Sequence, residues 1–121
     1  MAYPVIIPLQ AKPITVEIAD ISTAGQVYVA PGINGKITRI TTCLGGTIAT
    51  ANAAITTKIS GTAVTGGAIT VTQSGSAAGD VDEAIPTANN YFTSTQNIEV
   101  ETDGASTNTI PLNVVIWVEP A

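Results

Sequence analysis

Near the C-terminal end, Ile110, Leu112, Val114, Ile116 and Val118 occupy every second position of one run. A period of two puts all five side chains on one side of a pleated strand, which no helix face can do. At about 3.3 Å per residue the run spans roughly 30 Å, so a core of comparable length must lie against it. The opposite parity holds Pro111, Asn113, Val115, Trp117 and Glu119. Val115 and Trp117 are therefore expected outside that core. Burying both elsewhere is worth a few kcal/mol at ~25 cal/mol per Å². Three outcomes are open: cover by the chain's own N-terminal segment, a subunit interface, where Trp is enriched, or isolated exposure. Pro111 reads as the start of an edge strand.

The rest of the chain is written in the same alphabet. Thr, Ile and Val dominate, and Leu stands only at positions 9, 44 and 112. β-Branched side chains suit pleated strands. Strands are expected at Ile14–Ile18, Gln26–Ala30, Lys36–Leu44, Ala53–Ile59, Ala68–Gln73 and Asn97–Thr102, besides the final run. Pro31-Gly32-Ile33-Asn34-Gly35 reads as a turn. Asp80 to Pro86 reads as an acidic connection, and Asp103-Gly104 as a hairpin turn into the final strand. Lys36–Leu44 breaks parity, because Ile37 points one way and Ile40 and Leu44 the other. That calls for a bulge near Thr38–Arg39 or for burial on both faces. Seven or eight short strands with Gly/Asn/Pro/Ser turns indicate an all-β chain. The architecture expected is a β-sandwich of jelly-roll type over residues 14–121.

Residues 1–13 stand apart. Pro4, Pro8 and Pro13 each fix φ and remove a backbone donor, so this segment is expected as an extended arm rather than a sheet strand. It carries Val5, Ile6, Ile7 and Leu9, which need a surface to lie against. That surface is either the chain's own domain or a neighbour. The leading residues lack a basic stretch and a continuous apolar run, so no cleaved export signal is expected.

Composition narrows the chemistry. The 121 residues suit one domain. Charged residues are 11% of them and carry a net charge of −5, against about 25% charged in typical soluble domains. Lys12, Lys36, Arg39 and Lys58 are scattered, so neither nucleic acid nor an anionic membrane is an expected partner. No run approaches the ~18 apolar residues of a membrane helix. There is no His, so a serine nucleophile lacks its usual base. The single Cys43 is expected as a small buried hydrophobe. Gly61, Gly66 and Gly67 make no phosphate loop, since no Lys-Ser/Thr follows. Asp80, Asp82 and Glu83 form one acidic group and Glu99, Glu101 and Asp103 another. Neither has the spacing of a specific calcium loop. Glu99 and Glu101 are expected on a solvated strand face, and a loop cation at Asp80–Glu83 is the minor alternative. No enzyme, cofactor or metal is expected.

Three segments carry a family resemblance: Val27-Tyr-Val-Ala-Pro-Gly-Ile-Asn-Gly-Lys-Ile37, Ser74-Gly-Ser-Ala-Ala-Gly-Asp-Val81 and Ile98-Glu-Val-Glu-Thr-Asp-Gly104. Across about residues 25–118 the chain resembles the capsid decoration (cement) proteins of tailed bacteriophages. The motifs are turn-and-strand patterns, not catalytic signatures. The resemblance implies a small β-sandwich, often a homotrimer, on the outer surface of the icosahedral virion after assembly in the host cytoplasm. There it clamps neighbouring subunits of the major capsid protein. Members differ in whether a terminal arm touches the capsid. The residues expected at a capsid or subunit interface are Pro4, Val5, Ile6, Ile7, Pro8, Leu9, Val115 and Trp117. The mean hydropathy of +0.35 fits a chain covered by neighbours. Three arms docking together would add avidity. The alternatives are another phage structural part (tail, fibre or head–tail module) or a carbohydrate-binding sandwich.

Overall fold

A computed structural model describes residues 11–121. Ten strands run in chain order: β1 (Lys12–Ile18), β2 (Gly25–Val29), β3 (Gly35–Leu44), β4 (Ala53–Ile59), β5 (Thr62–Ala63), β6 (Ile69–Val71), β7 (Val81–Ala84), β8 (Tyr91–Phe92), β9 (Ile98–Thr102) and β10 (Leu112–Pro120). They form two antiparallel sheets, packed as a β-sandwich. The first sheet has the order β1-β10-β3-β7, with β8 also on β3. The second has the order β2-β9-β4-β5, with β6 also on β4. Without the two-residue ribbons β5 and β8, the first strand pairs with the last, the second with the next to last, and so on inward. The chain thus follows the path of one long hairpin wound across two sheets.

The alternation of β10 is as expected. Leu112, Val114, Ile116 and Val118 are buried, and Val115 and Trp117 are half-buried on the other side. Ile37, Ile40 and Leu44 of β3 all enter the same core, because a bulge sits where the parity breaks. Trp117 pairs with Arg39 and Val118 with Ile37, which leaves Thr38 as the extra residue. Its hydroxyl donates to the Trp117 carbonyl at 3.2 Å. From the second sheet Ile55, Ile59, Ile69, Val71, Ile98 and Val100 complete the core.

One end of the sandwich is plugged from its loops. Ile21, between β1 and β2, and Ile48, between β3 and β4, are fully buried. The Ile21 amide donates to the Ile110 carbonyl at 3.0 Å, and the Thr102 hydroxyl donates to the Ile21 carbonyl at 2.9 Å. The Ile48 amide donates to the Ser76 hydroxyl at 3.0 Å. Burial of each isoleucine is worth about 1.5–3 kcal/mol. Gly104 lies in the same end at φ +69°, where any Cβ would strike the backbone of Ala24.

Several expectations are corrected. β1 begins at Lys12, so Lys12 and Pro13 belong to the sheet; Pro13 is tolerated because β1 is an edge strand. The acidic stretch after Asp80 contains β7, held by β3 despite the low strand propensity of Asp and Glu. Asp103-Gly104 does not turn a hairpin, for β9 and β10 lie in different sheets. A two-residue type I′ turn needs positive φ at both positions, and of the two only Gly104 has it. Pro111 precedes a central strand rather than an edge one, since β10 lies between β1 and β3. Cys43 is exposed, because Thr42 and Leu44 take the inward parity. The expected arm residues Pro4, Val5, Ile6, Ile7, Pro8 and Leu9 lie outside the described residues.

Candidate functional site

The outer face of the first sheet can be built row by row from the register. Nearest the end where the chain enters β1, Glu119 of β10 stands beside Lys36 of β3, which stands beside Tyr91 of β8. The next row is Pro13, Trp117 and Arg39. Then follow Thr15, Val115, Thr41 and Glu83, and finally Glu17, Asn113, Cys43 and Val81. Val115 and Trp117, foreseen as outward residues, thus lie side by side at the centre. The periphery brings exposed apolar residues that sequence reasoning missed: Val81 is 67% exposed, Ile85 just beyond β7 is 53%, and Tyr91 is 64%. Their signal was weak, since Val81 and Ile85 flank acidic residues and Tyr91 sits in a two-residue strand.

The cations on this face are held over aromatic rings. The Arg39 guanidinium lies 5.5 Å from the centre of the Trp117 ring, and the Lys36 ammonium 5.9 Å from that of Tyr91. Each contact is worth about 0.5–1 kcal/mol when exposed. Arg39 also pairs with Glu83, Nε to Oε2 at 3.4 Å. The face is therefore apolar at its centre, with its central Arg39 stacked and paired and with Glu17 and Glu119 toward its two ends, which suits desolvation of the centre against a protein surface. Trp117, Thr38, Arg39 and Ala11 line a shallow groove here. Inside it the Trp117 Nε1–H is shut off from solvent and has no acceptor among the described residues.

The second sheet's outer face differs. Tyr28 and Lys58 flank Glu99 in register, and Gln26 and Thr56 flank Glu101. Lys58 Nζ lies 3.5 Å from Glu101 Oε2. Glu99 was expected in a solvated row, but it is only 9% exposed. Its long cross-strand neighbours cover it, a contact that strand parity alone does not reveal.

Among the described residues, no three His, Cys, Asp or Glu side chains come together as metal ligands. The Asp80–Glu83 acids have other tasks: Asp80 accepts from the Ala77 amide at 2.9 Å, and Glu83 pairs with Arg39. Lys36 lies over the Tyr91 ring, the aromatic on which a sugar would have to stack. Among the described residues no helix is long and apolar enough to cross a membrane. The chain matches no protein-family model, and comparison with curated proteins finds no match.

Proposed function

We propose that this chain is a non-catalytic docking protein of a phage head. It would bind the outer surface of the capsid as a decoration (cement) protein, clamping neighbouring major capsid subunits, and it would do so as a homotrimer. The observation that carries this reading is the outer face of the first sheet, where half-buried Trp117 and Val115 lie mid-sheet and exposed Val81 and Tyr91 lie beyond β3 on the same face. Aromatic and aliphatic anchors with few free charges are what stable protein interfaces are made of. The sequence resemblance supplies the kind of partner. The strand order supports reading the sandwich as a jelly roll, since pairing first with last and second with next to last is what winding one long hairpin into two sheets produces.

The mechanism on this reading is adhesive. Each copy excludes water from a central Trp and Val, while the matched Arg39–Glu83 pair avoids leaving a bare charge at the contact. Three copies in one trimer multiply the retention through effective concentration. The apolar residues Val5, Ile6, Ile7 and Leu9 would supply further contacts to the capsid.

Co-sedimentation with purified phage heads built from the accompanying major capsid protein tests this reading. The expected result is saturable, stoichiometric pelleting with heads. A chain that stays in the supernatant with expanded heads, or whose label on intact particles is confined to tails, would overturn it in favour of another phage structural part.

A further inference from the structure

We infer that Asn34 is a site of spontaneous backbone modification, and that two hydrogen bonds of the folded chain hold the reaction in check. Asn34-Gly35 is the chain's only Asn-Gly step. Gly35 has no Cβ to shield its nitrogen, so that nitrogen can attack the Asn34 side-chain carbon Cγ. The bond from Gly35 N to Cγ forms, the bond from Cγ to the side-chain nitrogen breaks, and ammonia leaves with the Gly35 proton. Water then opens the resulting succinimide at either carbonyl, which yields aspartate or isoaspartate. Such asparagines are among the thermolabile positions of proteins.

Packing explains why the labile pair is there. Gly35 opens β3 and is buried, in register with Pro120 on one side and Phe92 on the other. A Cβ at Gly35 would lie 2.6 Å from the Glu119 carbonyl oxygen and 2.9 Å from the Phe92 ring, so no larger residue fits. Asn34 is exposed, yet it ties three segments together. Its side-chain Oδ1 accepts from the Ser94 amide at 2.9 Å, and its backbone carbonyl accepts from the Ala121 amide at 3.1 Å.

Those two bonds hold the two torsions that ring closure must turn. The side chain has to swing Cγ over the Gly35 nitrogen, which breaks the contact with Ser94. The peptide unit joining Asn34 to Gly35 has to rotate, and its carbonyl is the one held by Ala121. Gly35, wedged against Glu119 and Phe92, leaves that peptide no slack. The reaction therefore waits for a local opening of the turn after β8 and of the end of β10, and its rate records how often this end of the sandwich opens. Isoaspartate would insert an extra methylene into the main chain directly before the wedged Gly35, so a chain once modified in that way cannot rebuild this corner as before.

The inference is independent of the capsid reading and is tested on the full chain alone. In the tryptic peptide that ends at Lys36, Asn34 is the only asparagine. After incubation at mildly alkaline pH, mass spectrometry of that peptide reads the conversion of amide to acid, and chromatography separates aspartate from isoaspartate. In urea both products should accumulate. In the native protein the rate should be lower by about tenfold or more. Ser94→Pro removes the first donor and suits its place, since Ser94 is the second residue of a turn closed by the Gln96 amide on the Thr93 carbonyl at 3.1 Å. It should speed native conversion by roughly twofold to tenfold, as should Ala121→Pro, which removes the second donor. Should one variant fail to fold, the other gives the same readout. No conversion in urea, a native rate equal to the unfolded one, or folded variants that convert no faster than the parent chain would overturn the inference.

Discussion

The two outer faces of the sandwich share one backbone geometry and differ in what they leave uncovered. On the first sheet, the cross-strand neighbours of β10 are Pro13, Thr15, Arg39 and Thr41 around Trp117 and Val115, and the only cation among them is stacked and paired. On the second, β9 carries Glu99 and Glu101 between Tyr28, Gln26, Thr56 and Lys58. The second face carries an ion pair and long polar side chains at its centre, with exposed Tyr28 beside them. The first keeps apolar area that nothing among the described residues fully covers. On the proposed reading, the docking role falls to one side of a molecule whose core is shared by both.

Adjacent positions on β10 give the sharpest contrast. Ile116→Ala removes a fully buried side chain from the shared core. It should lower unfolding stability by about 2–5 kcal/mol in denaturant titration. Trp117→Ala, one residue on and on the opposite side, should change stability far less. It should weaken head binding by about 2 kcal/mol, roughly thirtyfold, when measured by co-sedimentation. A Trp117 variant that melts as low as the Ile116 variant and still binds would erase the distinction between the two sides.

Smaller effects should sort by face. Arg39→Ala loses a ring contact and a surface ion pair, and should weaken head binding by about 1 kcal/mol in the same assay. Lys58→Met, on the second sheet, should leave head binding unchanged and alter stability by no more than about 1 kcal/mol, with the difference fading as salt is added. Asp20 belongs to neither face. The Ser22 hydroxyl, the Ser22 amide and the Thr23 hydroxyl hold its carboxyl below the ordinary 3.8. Its contribution is thus complete above the unfolded-state value and disappears as pH falls through the lower folded one. Asp20→Asn should flatten that acid limb of thermal stability without touching binding, the smallest change expected.

The sandwich was legible because its long strands obey a period of two. Ala53–Ile59 appears as read, and the broken parity of Ile37 and Ile40 left a bulge near Thr38–Arg39 or burial on both faces, of which the structure has the bulge, at Thr38. What escaped was held by partners distant in sequence. β7 exists because β3 offers a ladder to Val81–Ala84, which its own acidic residues do not favour. Ile21 and Ile48 plug the core from loops, where no periodicity marks them. On the outer face of the first sheet, Val115 and Trp117 were visible as outward residues of a strongly patterned strand. Val81, Ile85 and Tyr91 join them only through strand pairing and chain path, and Cys43 was misplaced because the parity of β3 past the bulge settles its side.

The most direct test of the docking assignment is a cryo-electron microscopy map of phage heads saturated with this protein, at a resolution that orients the sandwich. The account predicts density on the outer shell between neighbouring capsid subunits, with the Trp117 face turned toward the shell. Density with the Glu99–Lys58 face against the shell, or heads with no added density at saturation, would contradict it.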